Sequence, residues 1–264
     1  METLEDDFTY VTAKALRGHA LSPSAAANLA GLTLAEVQAF LAGEFSEKSA
    51  RKLANALGLQ ADALADHPNY LPKPLEISQI RRLNLPFDHE QVNAWQITAG
   101  EISILFDTGF TPGSCAEKLS PPRPAHLFIT HSHRDHIGGL ASLLAMGIPA
   151  HGANIPGARP MIPGETLTCG PLSIRACDLS GHATPALGYH ITGLEKAVLV
   201  TGDALFAGSI GSCASPTLYR HAIERLHEVL APLPPTTILL PGHGPATTLA
   251  EERHSNPFLC KIGT

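Results

Sequence analysis

No stretch of this 264-residue chain is apolar over the length that a bilayer demands. The amino terminus, Met1-Glu2-Thr3-Leu4-Glu5-Asp6-Asp7, is acidic and lacks the apolar core of a secretory leader. Neither a membrane span nor an export signal is expected. Cys115, Cys169, Cys177, Cys213 and Cys260 are odd in number and show no CxxC spacing, so a disulfide framework is not expected either. They read as small buried hydrophobes kept reduced, which places the protein in the cytoplasm. Excess positive charge is also missing. With 18 Lys and Arg against 24 Asp and Glu, nothing draws the chain as a whole to nucleic acid or an anionic membrane. The length allows one large domain, or a large one and a small one, with enough sequence to bury a core.

A proline-rich stretch, His67-Pro68-Asn69-Tyr70-Leu71-Pro72-Lys73-Pro74, cannot continue a helix and divides the chain into residues 1–72 and 73–264. The first part is rich in alanine and leucine and reads as all helical. Ser22 or Ser24 can cap a helix that Gly31 ends, and Thr33 caps Leu34 to Leu41. Ser46 opens a third helix, stopped by Gly58, and Ala61 to Ala65 make a fourth. Leu29, Leu32, Val37, Phe40, Leu41, Leu53 and Leu57 fall at helical spacing and are expected to form a small core of their own. The second part switches to short strands and turns. Strands are expected over Glu76–Leu83, Asn93–Ala99, Ile102–Asp107, Leu167–Cys169, Leu172–Leu179, Leu187–Ile191 and Lys196–Thr201, and helices over Ile137–Met146, Thr217–Leu230 and Leu249–Asn256. Such alternation implies an α/β (α+β) architecture in which helices cover sheets around one core.

The most informative segment is Thr130-His131-Ser132-His133-Arg134-Asp135-His136-Ile137-Gly138-Gly139, directly after the apolar Leu127-Phe128-Ile129. A strand that ends in this loop aims three imidazoles and a carboxylate at one point, a donor set suited to a transition metal. Three later fragments follow the same grammar of buried strand, glycine and ligand: Gly181-His182, Thr201-Gly202-Asp203 and Gly242-His243-Gly244. Phe106-Asp107-Thr108-Gly109 ends another expected strand. The remaining histidines, among them His190, His221 and His227, show no partner pattern.

The His-x-His-x-Asp-His loop with His182, Asp203 and His243 resembles the metallo-β-lactamase superfamily, and within it the glyoxalase II-like (hydroxyacylglutathione hydrolase-like) group. Thr201-Gly202-Asp203-Ala204-Leu205-Phe206-Ala207-Gly208 is similar to that group's segment around a bridging aspartate, and Pro241-Gly242-His243-Gly244-Pro245 with Asn256-Pro257-Phe258-Leu259 to its carboxy-terminal end. The resemblance covers roughly residues 76–264. It implies a four-layer αββα sandwich after the small all-α segment. It also implies that His131, His133 and His182 hold one metal, that Asp135, His136 and His243 hold a second, and that Asp203 bridges them. The cofactor is then two divalent ions, zinc first, with iron or manganese as alternatives. The implied reaction is hydrolysis of a small acyl compound, a thioester foremost, by a metal-bridging hydroxide that Asp135 orients and relieves of its proton. Asp107 is expected behind the ligands, fixing the loop or a tautomer.

Two departures bear on the substrate. Relatives that act on glutathione thioesters carry an arginine in a Gly-x-x-Gly-Arg frame where this chain has Gly208-Ser209-Ile210-Gly211-Ser212, and no helical extension follows Leu259. A small-molecule substrate is expected, and these departures leave open whether glutathione is recognised. Competing readings are a mononuclear iron persulfide dioxygenase, a nuclease, and a metabolite-sensing regulator whose helical segment binds DNA. Residues 25–64 do resemble a helix-turn-helix of the phage-repressor type, with Gly31 in the turn. The helix that would read DNA offers only Thr33, Glu36 and Gln38, however, and residues 1–72 carry five basic against nine acidic side chains. Packing or homo-oligomerisation is the expected role of that segment.

Overall fold

The computed structural model describes residues 3–75 and 77–259. Five helices come first: α1 (Phe8–Gly18), α2 (Pro23–Ala30), α3 (Leu34–Leu41), α4 (Glu47–Leu57) and α5 (Ala61–Asp66), followed by a 3-10 turn at His67–Asn69. The starts of α1 to α4 are set by side-chain caps, each a stabilisation of about 1 kcal/mol. Asp7 accepts from the Thr9 and Tyr10 amides, Ser22 from Ala25, and Ser46 from Ser49, while Thr33 and Glu36 form a reciprocal capping box. Gly31 and Gly58 end α2 and α4.

Two six-stranded sheets follow. The first runs in the order β1 (Ile80–Phe87), β2 (Glu90–Ala99), β3 (Ile102–Phe106), β4 (His126–Phe128), β5 (Ala150–Gly152) and β6 (Arg159–Pro160). Its first three strands are an antiparallel meander and the rest add in parallel. Between them lie α6 (Ser114–Glu117), α7 (Arg134–Ile137) and α8 (Leu140–Ala145). The second sheet contains β7 (Thr166–Cys169), β8 (Leu172–Asp178), β9 (Leu187–Thr192), β10 (Val198–Gly202), β11 (Ile238–Pro241) and β12 (Thr247–Thr248), and is antiparallel except where β10 meets β11. Helices α9 (Pro216–Leu230) and α10 (Leu249–Ser255) complete the chain.

Three apolar clusters stack these parts into layers. Ile97, Ile104, Phe106 and Phe128 of the first sheet meet Ile174, Tyr189, Ile191 and Val200 of the second, which makes a core between the sheets. Leu105, Leu127 and Ile129 point the other way, onto Leu140 and Leu143 of α8. Leu199 and Leu239 point outward from the second sheet to meet α9, α10 and the amino-terminal helices. The order is helix, sheet, sheet, helix, the αββα sandwich. It follows from alternation: neighbours such as Leu199 and Val200 are both buried, one on each face.

Several expectations are corrected. The amino-terminal helices do not close on a core of their own. Val11, Phe40, Leu53 and Leu64 join one cluster with Leu205, Tyr219, Leu226 and Phe258, so this segment is an outer layer of the sandwich. Leu29 is 62% exposed, because α2 buries Ala26 and Ala27 instead. The strand expected over 76–83 lies at Ile80–Phe87, and Glu76, like Cys260, is outside the described residues. Pro86 is tolerated there because β1 is an edge strand. The helix expected over 137–146 is two short helices parted at Gly138-Gly139, whose chain runs against the backbone of Thr108 and Phe110.

Candidate metal centre

The seven residues singled out as ligands come together at one end of the sandwich. His131, His133, Asp135 and His136 leave the end of β4, His182 follows β8, Asp203 follows β10 and His243 follows β11. His131, His133, His182 and Asp203 form one group, and Asp135, His136, Asp203 and His243 a second, with the donor atoms of each group within 4.8 Å of one another. Asp203 belongs to both. Its Oδ1 lies 3.2 Å from His136 Nε2, and its Oδ2 lies 3.5 Å from His182 Nε2 and 3.6 Å from His243 Nε2. Asp135 Oδ2 stands 3.2 Å from His243 Nε2 and 3.5 Å from His136 Nε2.

Hydrogen bonds behind the cluster decide which ring nitrogen faces in. His182 Nδ1 is 2.8 Å from the Ser212 carbonyl and His243 Nδ1 is 2.9 Å from the Gln91 carbonyl. A carbonyl can only accept, so each Nδ1 carries a proton and, in the neutral ring, each Nε2 presents a lone pair inward. Asp107 does the same for His136, with Nδ1 donating over 2.8 Å. The Asp107 carboxylate also accepts from the Thr130 amide and hydroxyl, both at 2.8 Å. One buried side chain thus ties the start of the histidine loop to one of its members, in a left-handed backbone conformation (φ 58°) that aspartate tolerates. Across the sheets, Tyr189 donates to the Ile129 carbonyl at 2.7 Å and Leu187 N to Thr130 O at 2.8 Å, which fixes the loop's root.

Gly242 is where a side chain would not fit. A Cβ there would stand 2.1 Å from Asp203 Oδ1 and 2.7 Å from His136 Cε1. His133 departs from the pattern, being exposed and turning Nδ1 toward His182 Nε2 at 3.1 Å.

The donor set fits a cation. His131 Nε2, His136 Nε2 and Asp203 Oδ1 are buried with no hydrogen-bond partner, a costly state for polar atoms. The charges agree. Burial works to lower the His136 pKa, yet Asp203 and Asp107 hold it well above its ordinary value. Burial works to raise Asp203, yet His136 and His243 hold it well below the usual carboxylate range. His131 is pushed far down by burial and then by His136. Against burial, contact with Asp135 raises His243 to about 9. A buried group of carboxylates and imidazoles with its donor atoms this close suits a divalent ion.

The rim holds groups that the spacing of ligands does not reveal. Phe87 approaches His243 (ring centroids 6.0 Å) and Phe110 (5.3 Å), and the Arg134 guanidinium lies 4.6 Å from the Phe110 ring centre. Glu5, ahead of α1, places Oε1 4.0 Å from His243 Nδ1. Ser212 contributes its carbonyl to His182. The other histidines stay outside: His190 lies in β9, His221 and His227 lie on α9, and His126 pairs with His151 at 2.9 Å. Cys115, Cys169, Cys177 and Cys213 are free thiols.

The chain is similar to several known proteins. A profile described as the metallo-beta-lactamase superfamily matches residues 88–173. The probable metallo-hydrolase YqgX of Bacillus subtilis is 27% identical over 209 residues, covering 66% of this chain and 95% of that protein. The hydroxyacylglutathione hydrolase GloC of Haemophilus influenzae is 31% identical over 162 residues, covering 50% of this chain and 74% of that protein. Among solved structures, TTHA1623 in a di-iron-bound form aligns with a TM-score of 0.53 at 28% identity, over 67% of this chain and 100% of that one.

Proposed function

The chain belongs to the metallo-beta-lactamase superfamily, whose fold implies divalent-metal binding, and from that premise we propose a two-metal hydrolase of small acyl compounds, thioesters foremost. His131, His133, His182 and Asp203 would hold one ion, and Asp135, His136, Asp203 and His243 the other. The observation that carries this reading is the pair of donor groups sharing Asp203, with His131 Nε2, His136 Nε2 and Asp203 Oδ1 buried and without a hydrogen-bond partner. When bound, such ions lower the pKa of water to about 7 and polarise a carbonyl oxygen. Zinc suits the imidazole-rich set, and iron and manganese remain admissible donors' partners.

The protein's own groups do the rest. Asp135, 8% exposed and within reach of His136 and His243, is placed to accept a proton at Oδ2. Burial works to raise its pKa, but His243 and His136 keep the carboxyl below its ordinary value, so it is ionised and ready to accept. Phe87 and Phe110 form an apolar wall for the acyl chain, and Arg134 puts a cation at its edge. With Ser212 at the place of the arginine, glutathione recognition is not part of the proposal. In this reading residues 73–264 are the catalytic unit and residues 1–72 a helical unit that packs on it. Their acidic balance argues against a DNA-binding role.

The test is a panel of an aryl thioester, a glutathione thioester and a lactone, assayed with the zinc- and iron-loaded chain and with Asp135→Asn. The amide keeps the shape but cannot accept a proton. Turnover on at least one substrate should fall about a hundredfold or more, with KM nearly unchanged. Failure on all three, with one iron per chain and oxygen uptake on a persulfide, would replace this reading with the dioxygenase.

A further inference from the structure

The segment ahead of α1 is built into the metal centre. Its backbone crosses directly over the turn that carries His243. Gly244 has φ 70°, and a Cβ there would stand 3.2 Å from the Glu5 amide nitrogen. Next to that crossing, the Glu5 carboxylate turns inward to 4.0 Å from His243 Nδ1.

The crossing is pinned from both sides. Asp6 forms an ion pair with Lys14 of α1, and both side chains are less than a tenth exposed. Lys14 Nζ also donates to the Ile210 carbonyl at 2.8 Å, on the loop after Asp203, and lies 5.2 Å from the Phe206 ring centre. Phe206 in turn packs edge-on against His243 at 5.9 Å. Asp7 fixes the far end by capping α1. A solvated tail needs none of these contacts.

Resting on the two-metal reading above, we infer that Glu5 is a positioning residue for the ion at Asp135, His136, Asp203 and His243, acting through the outer side of the His243 ring. The Gln91 carbonyl fixes the tautomer, and Glu5 adds the negative charge that raises the basicity of Nε2, as Asp107 does behind His136. The amino-terminal arm thereby completes the metal centre, and the helical layer serves the enzyme by anchoring that arm.

The experiment is a zinc titration of the metal-free full-length chain against a chromogenic chelator, for wild type, Glu5→Gln, Glu5→Ala and Glu5→Asp, beside thermal melts of the metal-free proteins. Glu5→Gln should weaken one of two zinc steps by roughly tenfold and leave the other unchanged. The metal-free melt should not move, and Glu5→Asp should recover part of the loss. Two unchanged steps in Glu5→Gln overturn the inference and leave the two-metal reading standing. So do two steps weakened together with a lowered melt, which mark a merely structural arm. Wild type that takes up no zinc sinks both.

Discussion

Replacing Asp107 by asparagine perturbs the centre from behind, without touching a donor atom. The carboxylate accepts three hydrogen bonds, from Thr130 N, Thr130 Oγ1 and His136 Nδ1, each at 2.8 Å. Asparagine keeps the shape and tolerates the left-handed backbone. Its carbonyl can still serve the Thr130 amide. Its NH2 group then faces the His136 N–H, donor against donor. Relief comes if His136 moves its proton to Nε2, and the ring can then no longer ligate. The loss of such an outer partner lowers metal affinity by about 10–100-fold, or about 1.4–2.8 kcal/mol. The metal-free chain should lose only about 1 kcal/mol, a fall of about 2–4 °C in Tm at this size. The assay is metal content after dialysis against graded chelator, with melting curves of the metal-free protein. One ion should leave Asp107→Asn at a chelator level that wild type withstands. Equal retention by both proteins would refute the argument that Asp107 sets the tautomer of His136.

Two further predictions lie away from the metals. The His126–His151 pair makes stability sensitive to acid: burial lowers both pKa values, His151 to about 4, from an unfolded value near 6.5. Because the unfolded chain then binds more protons, the contribution is full above about pH 6.5 and is lost as pH falls toward about 4. The urea midpoint should drop across that window, and less steeply in His151→Gln; equal slopes would contradict the assignment. Tyr70→Phe removes the 2.5 Å donation to the fully buried Glu252, which also receives Gly208 N, Thr247 Oγ1 and Asn256 Nδ2. A loss of about 1–3 kcal/mol is expected in the urea midpoint, and an unchanged midpoint would show that the network does not depend on the phenol.

The candidate ligands were legible in the sequence because each is a rare side chain at the end of an apolar run. The four fragments at His131, His182, Asp203 and His243 therefore marked both the strands and the site. What surrounds them was not. The partners of His182 and His243 are backbone carbonyls of Ser212 and Gln91, which no residue type announces. Glu5 reaches His243 only because the helical layer folds back over the second sheet, a contact without local pattern. Strands of two or three residues such as β5, β6 and β12 are too short to show a period. Helix α1 begins where Asp7 caps it, in a stretch read only as an acidic terminus. Leu29 misled because its helix packs through alanines, so the largest apolar side chain there faces outward.

In the proposed reading, two groups of donors sharing Asp203 hold two ions. The decisive measurement is elemental analysis of the reconstituted chain beside His182→Ala and His243→Ala. Wild type should carry about two divalent ions per chain and each soluble variant about one, the surviving ion being bound by the group left intact. A reconstituted wild type without metal, or a single ion that neither substitution removes or weakens, would contradict it.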